Sequence, residues 1–200
     1  GGRDGSRTLG LAERFDPALG RWEALPPMLE RRWGAAAAAV AGRLYVCGGD
    51  DGHRRLSLVE RFDPSLGAWE PQPAMPEGCW GSAAVAVSGR LYVCGGCSGP
   101  EYLRSAARLD TAGANRWECL APMSQRRLGA VAAAMRGQVL VCGGYDGQRR
   151  LRSGEAYSPG AGSWTALPPM REPRWGAAAA ALAGRLYVCG GGDGGERPSS

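Results

Sequence analysis

Arginine and tryptophan recur at four equivalent places in this chain, together in Arg31-Arg32-Trp33 and Arg174-Trp175 and singly in Cys79-Trp80 and Arg126-Arg127-Leu128. A second set alternates with these: Arg3-Asp4, Asp50-Asp51 with His53-Arg54-Arg55, Cys97 with Tyr102, and Tyr145 with Gln148-Arg149-Arg150. A guanidinium pairs bidentately with carboxylate or phosphate. Arginine mixed with tryptophan on one surface is the composition of a binding hot spot. The chemistry on offer is recognition of a protein or peptide partner, with an acidic one as the natural match. The candidate contact residues are Arg3, Arg32, Trp33, Asp50, Arg55, Trp80, Arg127, Leu128, Tyr145, Arg150, Arg174 and Trp175.

Catalytic constellations are harder to assemble from these residues. Copper wants imidazole ligands, and the chain has one histidine, His53. No Ser/His/Asp or Cys/His/Asn set stands in a recognisable context. Cys94-Gly95-Gly96-Cys97 spells C-x-x-C, but its first cysteine is a standard repeat residue and no second pair completes a four-ligand zinc site. Loops such as Gly48-Gly49-Asp50-Asp51-Gly52 lack the Gly-Lys-Ser/Thr and following helix of a phosphate cradle. The expectation is a non-enzyme with no cofactor and no metal. Nucleic acid is a weaker reading of the formal net charge of +5: the arginines are dispersed and offset by Glu13, Glu60 and Asp63, although an aromatic face can stack on single strands.

The elements that must position these residues are copies of one unit. Glycine pairs stand at Gly1-Gly2, Gly48-Gly49, Gly95-Gly96, Gly143-Gly144 and Gly190-Gly191, 47 or 48 residues apart. Trp22, Trp69, Trp117 and Trp164 each precede the second glycine of the next pair by 27 residues. Such a period is the signature of a repeat architecture. Each copy holds a run of small residues, such as Ala35 to Ala39, then a two-residue turn and an apolar run, Leu44 to Cys47, that together read as a hairpin. A third run ends at Asp63-Pro64, a turn starter, and a fourth carries the tryptophan. Alanine favours helix, but glycine bounds these runs within about eight residues, shorter than a helix needs. The equivalent Ala83 to Val87 is interrupted by β-branched valines, so four strands per copy are expected. The glycine pair is expected to admit a close neighbour, with the copy's own aromatic set as the visitor. The third copy departs, with Leu109 for the aromatic and one extra residue before Trp117.

The wording Val141-Cys142-Gly143-Gly144-Tyr145-Asp146-Gly147, followed by Trp164 and Pro169-Met170, resembles the Kelch repeat and, within it, the Kelch-like family of BTB-BACK-Kelch proteins. The resemblance covers nearly the whole chain. It implies an all-β propeller of four-stranded blades, here about four repeats of a six-bladed ring, with units near 1–47, 48–94, 95–142, 143–189 and a partial 190–200. It also implies peptide recognition by the turns entering the first strand and leaving the second, which lie at one end of the ring. Arg55 and Arg150 match a position where family members place a peptide-binding arginine; Thr8 and Tyr102 hold it in the other copies. Trp33, Trp80, Leu128 and Trp175 depart from the polar residues often found at the channel mouth. By resemblance the module is the substrate-recognition part of a cullin-RING ubiquitin ligase adaptor, with the BTB and BACK regions that contact the cullin lying outside this segment. A Kelch scaffold for actin or another cytoskeletal partner is the alternative.

All 24 basic residues are arginine, which suits an acidic partner and leaves no lysine for ubiquitin attachment. Seven cysteines fall mostly just before the glycine pairs, at Cys47, Cys94, Cys142 and Cys189, as buried small hydrophobes do in a reducing compartment. No apolar run approaches the 18 or so residues of a membrane span and no secretory leader is visible, so the cytoplasm is expected. The copies add up to the outer half of one blade, three whole blades and the inner half of another. That count fits an arc of a larger ring or a four-bladed ring closed by pairing residues 8–25 with 175–189. An open arc exposes unpaired strand edges.

Overall fold

The glycine-bounded apolar runs are strands in the computed structural model, which describes residues 1–192; residues 193–200 of the expected partial unit lie outside it. Ala36–Val40 and Ala178–Leu182, the two alanine-rich runs, both pair as strands. Each is too short to sustain a helix, and each can use a neighbouring strand that runs back from a tight turn. Ala41 and Gly42 have φ of 48° and 76°, and Ser88-Gly89, Arg136-Gly137 and Ala183-Gly184 repeat the same two positive values. Such mirror-image turns match the twist of the strands they join.

In chain order, β1 (Gly2–Asp4) and β2 (Arg7–Leu9) form a short hairpin, and β3 (Ala12–Asp16) pairs with β4 (Arg21–Leu25). The first whole blade is β5 (Ala36–Val40), β6 (Arg43–Cys47), β7 (Val59–Asp63) and β8 (Ala68–Gln72). The next contains β9 (Ala83–Val87), β10 (Arg90–Cys94), β13 (Ala106–Asp110) and β14 (Trp117–Cys119), with β11 (Cys97–Ser98) and β12 (Glu101–Tyr102) as a separate hairpin in its loop. Then come β15 (Val131–Met135), β16 (Gln138–Cys142), β17 (Gly154–Ser158) and β18 (Ser163–Leu167), and finally β19 (Ala178–Leu182) paired with β20 (Arg185–Cys189). Every pairing is antiparallel and every whole blade is a simple up-and-down sheet. The innermost strands β5, β9, β15 and β19 pack side by side, which makes the assembly part of a β-propeller. β3–β4 and β19–β20 are separate sheets, so residues 8–25 do not pair with 175–189. Among the described residues no helix is long and apolar enough to cross a membrane.

The core lies between blades. Val40, Tyr45, Cys47 and Val59 of one blade meet Leu91, Val93 and Leu109 of the next, and Val87, Tyr92 and Cys94 meet Val139, Val141 and Tyr157 in turn. The outer-strand indoles fasten each blade to its predecessor: Nε1 of Trp69, Trp117 and Trp164 donates to the carbonyls of Pro26, Pro73 and Ala121 at 2.8, 2.8 and 2.7 Å. Phe62 and Tyr157 lie 5.2 and 5.1 Å from Trp69 and Trp164, ring centre to ring centre. Phe15 and Trp22 keep the same pairing but stand exposed on β3–β4.

These aromatics are not what the glycine pairs admit, which corrects the expectation from sequence. A Cβ on Gly48 would lie 2.5 Å from the carbonyl oxygen of Cys79 in the next blade, and one on Gly49 would lie 2.9 Å from that of Trp33. The N–H of Gly49 donates to Cys79 O at 2.8 Å; Gly96 and Gly144 do the same to Arg127 and Arg174. The close visitor of the first glycine is thus the main chain of the following blade, and that of the second is the entering turn of its own blade. Cys47, Cys94 and Cys142 are buried as expected, whereas Cys189 is exposed on β20.

Candidate protein-binding face

The glycine pair does not end the hairpin of each blade; it bends it, and three more residues pair beyond. Trp33 bridges Asp50, and Asp50 bridges Arg55. Trp80 bridges Cys97, which pairs with Tyr102; Leu128 bridges Tyr145, which bridges Arg150; Trp175 bridges Gly192. In the first copy Arg3 pairs with Thr8. The backbone bonds that hold these rows span 2.8 to 3.2 Å, for example Trp33 N to Asp50 O at 3.0 Å. The two variable turns of each blade therefore reach the same end of the arc, carried on a rigid extension of the sheet.

Neighbouring rows interlock. The guanidinium of Arg3 lies 5.6 Å from the ring centre of Trp33, Arg55 lies 5.6 Å from that of Trp80, and Arg150 lies 5.9 Å from that of Trp175. In each case the arginine belongs to one blade and the indole to the next. Trp33 meets Trp80 edge-on at 4.9 Å, and Tyr102 meets Tyr145 edge-on at 5.4 Å. Beneath the indoles runs a chain of backbone bonds from blade to blade: Gly81 N to Gly34 O, Gly129 N to Gly81 O and Gly176 N to Gly129 O, at 2.8, 2.8 and 2.9 Å. A Cβ on Gly129 would lie 2.6 Å from Trp175 Nε1, and Gly34 and Gly81 likewise give Trp80 and Leu128 of the next blade a floor to lie on. Sequence reading missed this ring, although the invariant glycine after Trp33, Trp80, Leu128 and Trp175 was its signal.

A sequence model of the KLHDC2/KLHL20/DRC7 Kelch-repeats domain matches residues 1–192. The chain belongs to the Kelch-repeat family. Among curated proteins, Kelch-like protein 26 of Mus musculus is 44% identical over 48 residues, 24% of this chain and 8% of that protein. Kelch-like protein 35 of Mus musculus is 48% identical over 48 residues, with the same coverage. The match thus spans less than a tenth of the length of either relative. Among solved structures, that of YjhT superposes with a TM-score of 0.82 and 18% identity over 92% of this chain and 69% of its own, which is a likeness of fold.

On the Kelch scaffold the candidate residues divide into two sets. Arg3, Trp33, Asp50, Arg55, Trp80, Leu128, Tyr145, Arg150 and Trp175 come together on the loop-bearing end. Within it Arg55 is ion-paired to Asp50, Tyr145 Oη donates to Gly147 O at 3.0 Å, and Leu128 is buried. The side chains of Arg55 and Trp80 each leave one buried nitrogen without a protein partner, Nε and Nε1 respectively. Arg32 and Arg127 are elsewhere: their side chains are 0% exposed. Arg32 pairs with Glu60 and donates to Gly48 O at 2.7 Å and Leu58 O at 3.0 Å. Arg127 pairs with Glu155 at 2.9 Å and donates to Gly143 O and Ser153 O. Arg174 occupies the same place and donates to Gly190 O. The expectation that Arg32 and Arg127 are surface contact residues is thereby overturned, since each guanidinium is buried and held by a carboxylate that its removal would strand.

Two open cavities flank the belt. One of 430 Å³ lies between Tyr102, Arg126 and Asp146, and one of 600 Å³ is lined by Arg149, Arg150, Arg152 and Arg171 with Glu172. Two of the variable turns are fastened by aspartate side chains. Asp51 accepts the N–H groups of His53 and Arg54 at 2.7 and 2.9 Å, and these bonds, that of Arg54 first, hold its carboxyl below the usual range. At Asp146 partial burial pushes upward, but the N–H bonds of Arg149 and Gln148 outweigh it and the carboxyl is again held low. The arrangement offers stacking surfaces and forked donors at fixed positions, which suits capture of an extended acidic segment.

Proposed function

We propose that this Kelch module is a protein-interaction propeller that captures an acidic peptide segment of its partner on the Arg–Trp face. One observation carries the reading: three arginines, each from a different blade, lie over the indole of the following blade, on turns fixed by backbone bonds. Stacked, partly desolvated guanidinium groups lose little freedom when they bind carboxylate. We read the module as a binding scaffold without catalysis of its own, in the cytoplasm. Its likeness to Kelch-like proteins 26 and 35 supports a role as the substrate-recognition part of a cullin-RING ligase adaptor.

The test is a peptide array of acidic and charge-neutralised segments, followed by anisotropy titration of the best binder. Arg3→Ala, Arg55→Ala and Arg150→Ala together should weaken binding at least tenfold in a chain that still unfolds cooperatively, and affinity should fall as salt rises. Equal binding of acidic and neutralised peptides, or an unaffected triple variant, refutes the reading. Cosedimentation with filamentous actin separates it from a cytoskeletal role.

A further inference from the structure

The buried Arg–Glu pair is missing from one blade. Where the sister blades carry Arg32 with Glu60 and Arg127 with Glu155, the blade between them, built of β9, β10, β13 and β14, carries Cys79 and Ala107. A third position changes with them. Glu60 accepts the N–H of Leu29 at 2.6 Å and Glu155 that of Ser124 at 2.8 Å; the corresponding residue here is Pro76, which has no N–H to offer. Guanidinium and carboxylate have been removed together, and the shared donor position 76 has lost its N–H as well, so no buried charge is orphaned. The vacated volume has not closed. A cavity of 120 Å³ remains, walled by Met75, Val93, Leu103 and Leu120, with Cys79 and Ala107 where the ion pair would be. Exposed Cys119 and Pro122 stand at its mouth.

We propose that this cavity is a binding site for a small uncharged apolar molecule of about benzene size. Apolar cavities of about 150 Å³ stay dry and take benzene, because a water needs two to four polar partners. Here the Ser105 hydroxyl is committed to Glu77, and the Ser105 carbonyl accepts the Gly95 N–H at 2.9 Å. Thiols are weak hydrogen-bonding groups, and burial pushes that of Cys79 up to about 11, so it stays neutral. None of the belt residues lines the cavity, and the site stands or falls independently of the peptide-binding reading.

The test is a benzene titration of the chain with ¹³C-methyl-labelled methionine, leucine and valine. The methyls of Met75, Val93, Leu103 and Leu120 should shift and saturate. The variant Cys79→Arg/Ala107→Glu/Pro76→Leu, which reinstates the sister-blade arrangement, should weaken binding at least tenfold. Ala107→Leu, which fills the space without adding charge, should do the same and keeps the test decisive if the triple variant does not fold. Absence of shifts at these four methyls in the unaltered chain overturns the proposal, as does undiminished binding in Ala107→Leu.

Discussion

Replacing Arg127 with alanine tests the buried ion pair most directly. The side chains of Arg127 and Glu155 are 0% and 5% exposed, and the guanidinium reaches Gly143 O at 2.8 Å, Ser153 O at 3.0 Å and Glu155 at 2.9 Å. Truncation leaves the Glu155 side chain in the interior without its partner, with the Ser124 N–H at 2.8 Å as its remaining hydrogen bond among those described. Breaking a buried pair from one side costs about 3–5 kcal/mol, against about 0–1 kcal/mol for an exposed arginine. The variant Arg127→Cys/Glu155→Ala/Ser124→Pro copies the blade that carries Cys79 and Ala107 and removes the whole set, so it should be more stable than Arg127→Ala although it loses more bonds. Urea denaturation followed by tryptophan fluorescence measures both. In a stack of repeats the loss concentrates in the altered blade and its neighbours, so unfolding should begin there. A single variant within about 1 kcal/mol of the parent chain, or a triple variant less stable than the single, would refute the account.

Three further outcomes follow from the packing. Gly48→Ala should destabilise by at least about 1–3 kcal/mol, since φ is +63° and the new Cβ would press on the Cys79 carbonyl; an unchanged melting temperature would contradict the close approach of the blades. Asp63 is held well below its ordinary range by the Ser65 hydroxyl first and then by Arg43, so its contribution is present above the unfolded value of about 3.9 and is lost as pH falls toward the folded value; Asp63→Asn should flatten the acid limb of a stability profile. At pH 8 a thiol-exchange reagent should modify Cys119 and Cys189 quickly, while Cys94, whose thiol burial pushes up to about 12, should react only on unfolding; rapid loss of more than two thiols would contradict the burial.

What could be read from the residues, and what could not, follows from how far apart the contacting parts lie. The strand assignment of Ala36–Val40 was legible because glycine punctuates it on both sides. The row Trp33, Asp50, Arg55 was legible as two turns at one end, since antiparallel strands of equal length must bring them there. The glycine pair was legible as a close approach, but not its visitor: in a repeat, the position of a neighbour within the copy and of its equivalent in the next copy carry the same period. The burial of Arg32 and Arg127 was hidden for a related reason, since each carboxylate lies 28 residues on, beyond a loop. The joint loss of both partners at Cys79 and Ala107 was the signal that could have revealed the pairing.

The glycine-to-glycine bonds through residues 34, 81, 129 and 176 fix each blade to the next at a point close to the axis and independent of side-chain identity. The angular pitch of the arc is therefore written in main chain alone. Residues immediately before these glycines can diversify without changing curvature, and leucine at 128 already stands where its three counterparts carry indoles. Recognition can drift from blade to blade while the wheel keeps its shape.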